Sequence, residues 1–155
     1  LVYSGDRVTI TSGDEPQAQP TICGANETKN FYKWTSPQAS AQAYSIYVTY
    51  QLPSTFKAFT SGSTNLHARV DSTSNAFVKM QIYKSSTGNP LVLCGSDVTI
   101  TSSPNIWQFP AASGTADPST CGFAANNSIV FKITASSVSN ANAYIGNLNF
   151  TFSNN

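Results

Sequence analysis

The chain has 155 residues, a formal net charge of +1 and a charged fraction of only 10%. A balance this close to neutral excludes the basic surface with which proteins hold nucleic acid or acidic membranes. No apolar stretch reaches the eighteen or so residues that a membrane-spanning helix needs. Ser, Thr and Asn supply about a third of the residues, and the aromatic fraction of 12% exceeds that of disordered chains. We therefore expect a folded chain with a hydroxyl- and amide-rich surface, no nucleic-acid partner and no membrane span.

Apolar and polar residues alternate with period two through most of the chain, and no window of a dozen residues shows the period of an amphipathic helix. The clearest strands, in chain order, are 44–52, 66–70, 78–83, 129–134 and 144–152, with shorter ones near 91–94, 97–101 and 105–109. Gly146 interrupts the last run, which predicts a bulge or a close approach there. The predicted fold class is all-β: an antiparallel two-sheet β-sandwich, jelly-roll-like, with an N-terminal extended strand segment.

Two parts of the chain repeat one another in order. Val-Thr-Ile-Thr-Ser occurs at 8–12 and again at 98–102. The matching segments that follow are Cys23-Gly24 with Cys121-Gly122, Tyr32–Thr35 with Phe131–Thr134, and Ala43-Tyr44 with Ala143-Tyr144. The offset grows from 90 to 100 residues, as it would between related segments with loops of different length. Because such strand sequences are common in Ser/Thr-rich chains, duplication and convergence both remain open.

The repeat divides the chain into residues 1–43, an N-terminal half-module, and residues 44–155, a β-sandwich domain. The half-module could fold back onto its own sandwich. It could instead add a strand to the open sheet edge of a neighbouring subunit, with Val2, Val8 and Ile10 as the candidate strand-donor residues. Such a head-to-tail contact propagates into a filament unless it closes into a ring.

The three cysteines lack the Cys-X-X-Cys spacing and the nearby histidines of zinc sites. We predict a disulfide between Cys94 and Cys121 that fastens residues 95–120 to the sheet. Cys23 is then a free thiol or forms an intermolecular bridge. Since disulfides persist in oxidising compartments, we expect an extracellular or cell-surface protein. Candidate glycosylation sequons lie at Asn26, Asn126 and Asn149.

The segments AYSIYVTYQLPSTF and AYIGNLNFTF, with a Cys-Gly turn and an FKIT strand before the second, carry a family resemblance. This pattern resembles β-sandwich modules in secreted surface and appendage proteins of small-genome, largely uncultivated bacteria. The resemblance covers residues 44–152 and consists of strand patterns without a catalytic signature. It implies a role at the cell surface or in an appendage.

The chain contains none of the common catalytic or nucleotide-binding motifs. His67 is the only histidine, so a catalytic triad or a zinc site would have to use it. Its strand places it on the polar face, where we expect an exposed structural residue. We therefore predict no enzyme and no cofactor. Calcium is the one candidate ion, because several aspartates lie near predicted turns, namely Asp6, Asp71, Asp97 and Asp117.

Two functions fit these features. The first is an extracellular structural protein, a subunit of a surface filament or layer that assembles head-to-tail as a homo-oligomer by β-strand addition. The alternative is a monomeric carbohydrate-binding or adhesive module, in which Trp34 and Trp107 would stack on a glycan. Because each tryptophan lies within an alternating strand, we expect both to be core or interface anchors instead.

Overall fold

A computed structural model describes residues 9–16, 28–85, 91–101, 107–108 and 117–154. Within these ranges the chain forms strands and one short 3-10 helix, Pro118–Cys121. The strands are β1 Thr9–Pro16, β2 Thr28–Thr35, β3 Gln42–Gln51, β4 Phe56–Phe59, β5 Asn65–Val70, β6 Ala76–Ser85, β7 Val92–Leu93, β8 Val98–Ile100, β9 Ser128–Ser137, β10 Asn142–Asn149 and β11 Phe152–Asn154.

Two antiparallel sheets form the body of the protein. One sheet has the strand order β1-β2-β10-β5, and the other has the order β3-β9-β6-β7, with β8 also paired to β6. A small third sheet joins β11 to β4. The inner faces of the two main sheets share one hydrophobic core. The predicted all-β antiparallel sandwich is therefore confirmed.

The core follows from the alternation in the central strands. In β9, Ile129, Phe131 and Ile133 point inward and are buried, and in β6 the inward residues Val78 and Met80 meet the same core. Branched and aromatic side chains suit a pleated, buried surface. Phe131 is the largest of the fully buried side chains among the described residues.

The N-terminal strands belong to the sandwich of their own chain. β1 pairs with β2, and Ile10 lies opposite Trp34 of the same chain. β2 in turn pairs with β10, with Thr35 opposite Asn142. The proposed donor residues Val2 and Val8 lie outside the described residues. The strands in the described part of residues 1–43 are thus paired within their own chain.

The two halves of the repeat are interleaved between the sheets. β3, which carries Ala43-Tyr44 of the first copy, pairs along its whole length with β9, while β10, which carries Ala143-Tyr144 of the second copy, pairs with β2. The two VTITS segments are not equivalent, because β1 pairs with β2 whereas β8 pairs with β6. The chain therefore passes from one sheet to the other in both halves.

No helix in the described ranges is long and apolar enough to cross a membrane.

Candidate ligand-binding face

The structure joins Cys94 to Cys121, the pair expected from the sequence, with the two Cα atoms 5.5 Å apart. The bond ties the segment after β7 to the 3-10 helix.

Asn126 is exposed in a turn and Asn149 is exposed on β10, so both sequons are accessible in this structure. The other two sequence-predicted positions, Cys23 and Asn26, lie outside the described residues.

The two tryptophans do not fit a role in stacking on a glycan. Trp34 is only 6% exposed and Trp107 only 2%, so neither ring offers a face to a ligand. The Trp34 indole donates a hydrogen bond from Nε1 to the Gln42 carbonyl at 3.0 Å and stacks on Tyr44 with ring centroids 5.4 Å apart. Both apolar rings are instead buried against neighbouring strands, where they stabilise the packing of the sandwich.

The expectation of an exposed His67 is wrong. Residue 108 forms a bridge to Ala68 on β5, with hydrogen bonds of 2.8 and 3.1 Å between Gln108 and Ala68. This contact brings Trp107 over the outer face of the sheet that carries His67, which is buried. A strand pattern shows which face a side chain occupies, but it does not show that a distant segment covers that face.

Gly146 is a point of close approach, as the sequence predicts. The pairing of β10 with β5 shifts register between Ile145 and Leu148. A Cβ atom built on Gly146 would lie 3.1 Å from Cζ3 of Trp107 and 3.2 Å from the carbonyl oxygen of His67. Only a residue without a side chain lets the indole approach the strand this closely.

We expect Gly146→Ala to lower the free energy of unfolding by about 1–3 kcal/mol, because the added methyl group overpacks a closed contact. Urea denaturation measures this loss. Gly122→Asn is the control: Gly122 has a φ of +57°, which asparagine tolerates, and nothing lies within 4 Å of its Cβ position. A loss for Gly146→Ala no larger than that for Gly122→Asn would contradict the close packing of Trp107.

A largely polar surface covers the outer side of the larger main sheet; Tyr47 and Thr49 in it are exposed, and most of its other side chains are half-buried. We call it the polar face and define it by three rows of residues that cross β3, β9 and β6. The rows are Ser45, Thr134 and Lys79; Tyr47, Lys132 and Gln81; and Thr49, Val130 and Tyr83. In β9 and β6 the intervening residues are in the core, so period-two geometry directs these side chains outward.

Tyr47 is the most exposed large hydrophobic side chain of the described residues, at 59%. It lies directly opposite Lys132 on β9, whose Nζ is 6.0 Å from the centroid of the tyrosine ring. Lys132 lies opposite Gln81 on β6. The middle row thus places an aromatic ring, an ammonium group and an amide side by side over about 10 Å.

Polar contacts order the rest of this face. Lys79 forms a salt bridge of 2.9 Å to Asp97, and Gln81 donates to the same carboxylate at 3.5 Å. The hydrogen bond from Lys79 lowers the pKa of Asp97, so this carboxylate is an ionised acceptor at neutral pH. The hydroxyl groups of Ser45 and Thr134 are 2.9 Å apart. The polar face therefore combines an aromatic ring, on which a ligand can stack, with both hydrogen-bond donors and hydrogen-bond acceptors.

Aspartates that could have bound calcium have protein partners. Asp117 accepts hydrogen bonds from Ser61, Gly62 and Ser119, and Asp71 accepts from Asn142. Within the described ranges no three His, Cys, Asp or Glu residues are grouped to hold a metal ion. Calcium binding stays an untested prediction, and Asp6 lies outside the described residues.

A separate shallow cleft of about 230 Å³ lies between β4 and the 3-10 helix. Its lining includes Phe59 and Phe123, whose rings meet edge to face with centroids 5.1 Å apart. Lys57 and Ser119 supply the polar groups of its lining. The cleft is smaller than the pockets of roughly 300 Å³ or more that usually hold small molecules, and we regard it as secondary to the polar face.

No family model matches the sequence, and no curated protein matches it either. Solved structures are similar in fold. TmCBM61 in complex with β-1,4-galactotriose aligns with a TM-score of 0.51 and 9% identity over 97% of this chain and 90% of that one.

Two further structures give alignments of different quality. A structure of promiscuous carbohydrate-binding modules from the β-sandwich superfamily aligns with a TM-score of 0.57 and 6% identity, over 93% of this chain and 53% of that one. The accessory secretory proteins 1, 2 and 3 of Streptococcus pneumoniae give a TM-score of 0.35 at 11% identity, over 93% of this chain and 95% of that one, which is too low to indicate a common fold. At these identities the likeness shows that the chain shares the β-sandwich fold of carbohydrate-binding modules.

Proposed function

We propose that the chain is a non-catalytic, extracellular carbohydrate-binding module that holds a saccharide on the polar face. The observation that carries the proposal is the exposed ring of Tyr47 in one row with Lys132 and Gln81. The similar fold of two structures of carbohydrate-binding modules supports it. The disulfide between Cys94 and Cys121 is consistent with a location outside the cell.

The chemistry of the polar face suits a hydroxylated ligand. The apolar C–H face of a sugar ring packs on an aromatic ring, and tyrosine keeps a polar edge for a hydrogen bond. Sugar hydroxyl groups both donate and accept, and they would meet the Asp97 carboxylate, the Gln81 amide and the Lys132 ammonium. Because Lys79 is paired with Asp97, the face lacks the dense single-sign charge that would select a strongly ionic ligand.

We expect Tyr47→Ala to weaken saccharide binding about tenfold or more, which corresponds to ~1.4 kcal/mol or more. A panel of neutral oligosaccharides, including β-1,4-linked galactose oligomers, would first be screened with the native chain. Isothermal titration calorimetry on the best ligand would then measure the loss.

Tyr32→Ala is the matched control, since Tyr32 is also exposed, at 53%, but lies on β2 in the other sheet. We expect it to leave the affinity unchanged. Equal losses in both variants, or a loss only in Tyr32→Ala, would place the site elsewhere. Binding of no saccharide by the native chain would contradict the function itself.

The filament-subunit hypothesis remains a prediction without an observation in its favour. In the described residues the first strand is already paired with β2 of its own chain, so strand donation would require β1 to leave that sheet. Electron microscopy of the native material tests it, because head-to-tail assembly would show regular filaments.

A further inference from the structure

The outer edge of β3 has the features of an interaction surface. β3 pairs with β9 along its ten residues, Gln42–Gln51, and it ends the strand order of its sheet. Within the described ranges no strand pairs with its other edge. Long edge strands are normally protected by charged residues, proline or a bulge. The sequence QAYSIYVTYQ contains no charged residue and no proline, and its register with β9 is uninterrupted.

Several large hydrophobic side chains along this strand are exposed to solvent. Tyr47, Val48 and Tyr50 are all among the exposed large hydrophobic residues. Val48 and Tyr50 lie on the inner side of the strand, where alternation would bury them in a central position. The apolar surface thus continues around the free edge of the sheet instead of stopping at it.

The sequence of β3 is symmetric by residue class about Tyr47. From Tyr44 to Tyr50 it reads Tyr, Ser, Ile, Tyr, Val, Thr, Tyr, so that reversal exchanges only Ser with Thr and Ile with Val. Two antiparallel copies of this strand, related by a two-fold axis through Tyr47, would place like residues opposite each other. The opposed residues would be Tyr44 and Tyr50, Ser45 and Thr49, Ile46 and Val48, and Tyr47 and Tyr47.

The facing pairs also agree in the side of the sheet that they occupy. Directly opposite residues of an antiparallel pair project to the same face. Tyr44 and Tyr50 are both on the inner side, and Ser45 and Thr49 are both on the outer side. In this pairing each side chain faces one of its own class, whereas pairing with a foreign strand would give no reason for β3 to be symmetric about Tyr47.

We propose that two copies of the chain associate along β3 into an antiparallel, two-fold symmetric dimer. This is strand addition with identical patches on both subunits, and it closes without propagating. The absence of charge on β3 removes like-charge repulsion at the axis. The two polar faces become one surface, with the two Tyr47 rings adjacent at its centre.

Sedimentation velocity over a concentration series tests the proposal with the full chain. We expect reversible dimers for the native protein and a dimer dissociation constant at least about tenfold higher for Val48→Lys, because lysine on an edge strand opposes pairing. Val48 is 38% exposed, so the lysine can extend to solvent without disturbing the monomer fold. Circular dichroism of the variant checks that the fold is kept.

Val92→Lys is the matched control. Val92 is also an exposed valine, at 54%, on β7 at the other end of the same sheet. We expect it to dimerise like the native chain. A native chain that is monomeric at all concentrations, or a dimer that is lost only in Val92→Lys or is kept in Val48→Lys, would overturn the proposal.

Cysteine cross-linking tests the register. In a Cys23→Ser background, Tyr47→Cys would place two Cα atoms about 4.5–5.5 Å apart across the axis, within the range for a disulfide. Thr49→Cys would place them about 14 Å apart. We expect covalent dimers from the first variant only. Cross-linking by the second alone, or by neither, would refute this arrangement, and neither measurement depends on a saccharide.

Discussion

Replacement of Cys94 and Cys121 by alanine is expected to lower the free energy of unfolding by about 3–4 kcal/mol. The two residues are 27 positions apart in sequence, and a cross-link that closes a loop of this size restricts the unfolded chain by about that free energy. The folded ends are held independently. The Cys94 amide donates to the Ile82 carbonyl at 2.7 Å, and Lys84 Nζ donates to the Gly122 carbonyl at 2.7 Å. The folded state should therefore survive loss of the bond with its strand pairing intact.

Urea denaturation of the double variant measures this loss, and denaturation of the native chain with a reducing agent should show nearly the same value. Cys23→Ser is the control and should leave the stability unchanged. If Cys23→Ser gave a comparable loss, or if reduction had no effect on the native chain, the pairing of Cys94 with Cys121 would not be the stabilising link.

Asp117→Ala is expected to lower the free energy of unfolding by about 3 kcal/mol at neutral pH. Its buried carboxylate accepts from the Ser61 hydroxyl at 2.8 Å, the Gly62 amide at 3.1 Å and the Ser119 amide at 2.9 Å. Hydrogen bonds to a charged group contribute about 1.5–3 kcal/mol each, and these three share one carboxylate and are not additive. The same contacts join the β4–β5 turn to the start of the 3-10 helix, so their loss would loosen two segments at once.

The contribution of Asp117 depends on pH. Burial raises the pKa of its carboxyl group, but the hydrogen bonds from Ser119, Ser61 and Gly62 together lower this pKa by more than burial raises it. The folded pKa is therefore below the ordinary value. The stabilisation is therefore complete above the unfolded pKa of about 3.9 and is lost as the pH falls through the folded pKa. Asp117→Asn keeps an acceptor without the charge, so it should lose less stability than the alanine variant and flatten the acid limb of the stability profile. An unchanged profile would contradict an ionised Asp117.

Period-two alternation was sufficient to predict the sandwich and the inward faces of β6 and β9, because those strands lie between two neighbours. It was insufficient at the edges. Val48 and Tyr50 occupy inner positions of β3, yet both are exposed, because an edge strand is covered on one side only. His67 occupies an outer position but is buried, because a segment some forty residues later covers it. Contacts between segments so far apart leave no local pattern in the sequence.

The candidate site was missed for a related reason. Trp34 and Trp107 drew attention as large aromatic residues, but their size is what suits them to the packing of the sandwich. Tyr47 carried the more useful signal, an aromatic residue at a polar position of an alternating strand. Its neighbours Lys132 and Gln81 are on strands that are 34 or more residues away in sequence. Only the register of three strands brings these side chains into one row.

The interleaving of the two halves has a consequence for the time course of folding. β3 must wait for β9, since Gln42 pairs with Ser137, and β2 must wait for β10, since Thr35 pairs with Asn142. Both sheets thus depend on contacts between residues about a hundred positions apart, and topologies of this kind fold slowly because long loops must close first. During synthesis neither sheet can be completed until nearly the whole chain has emerged.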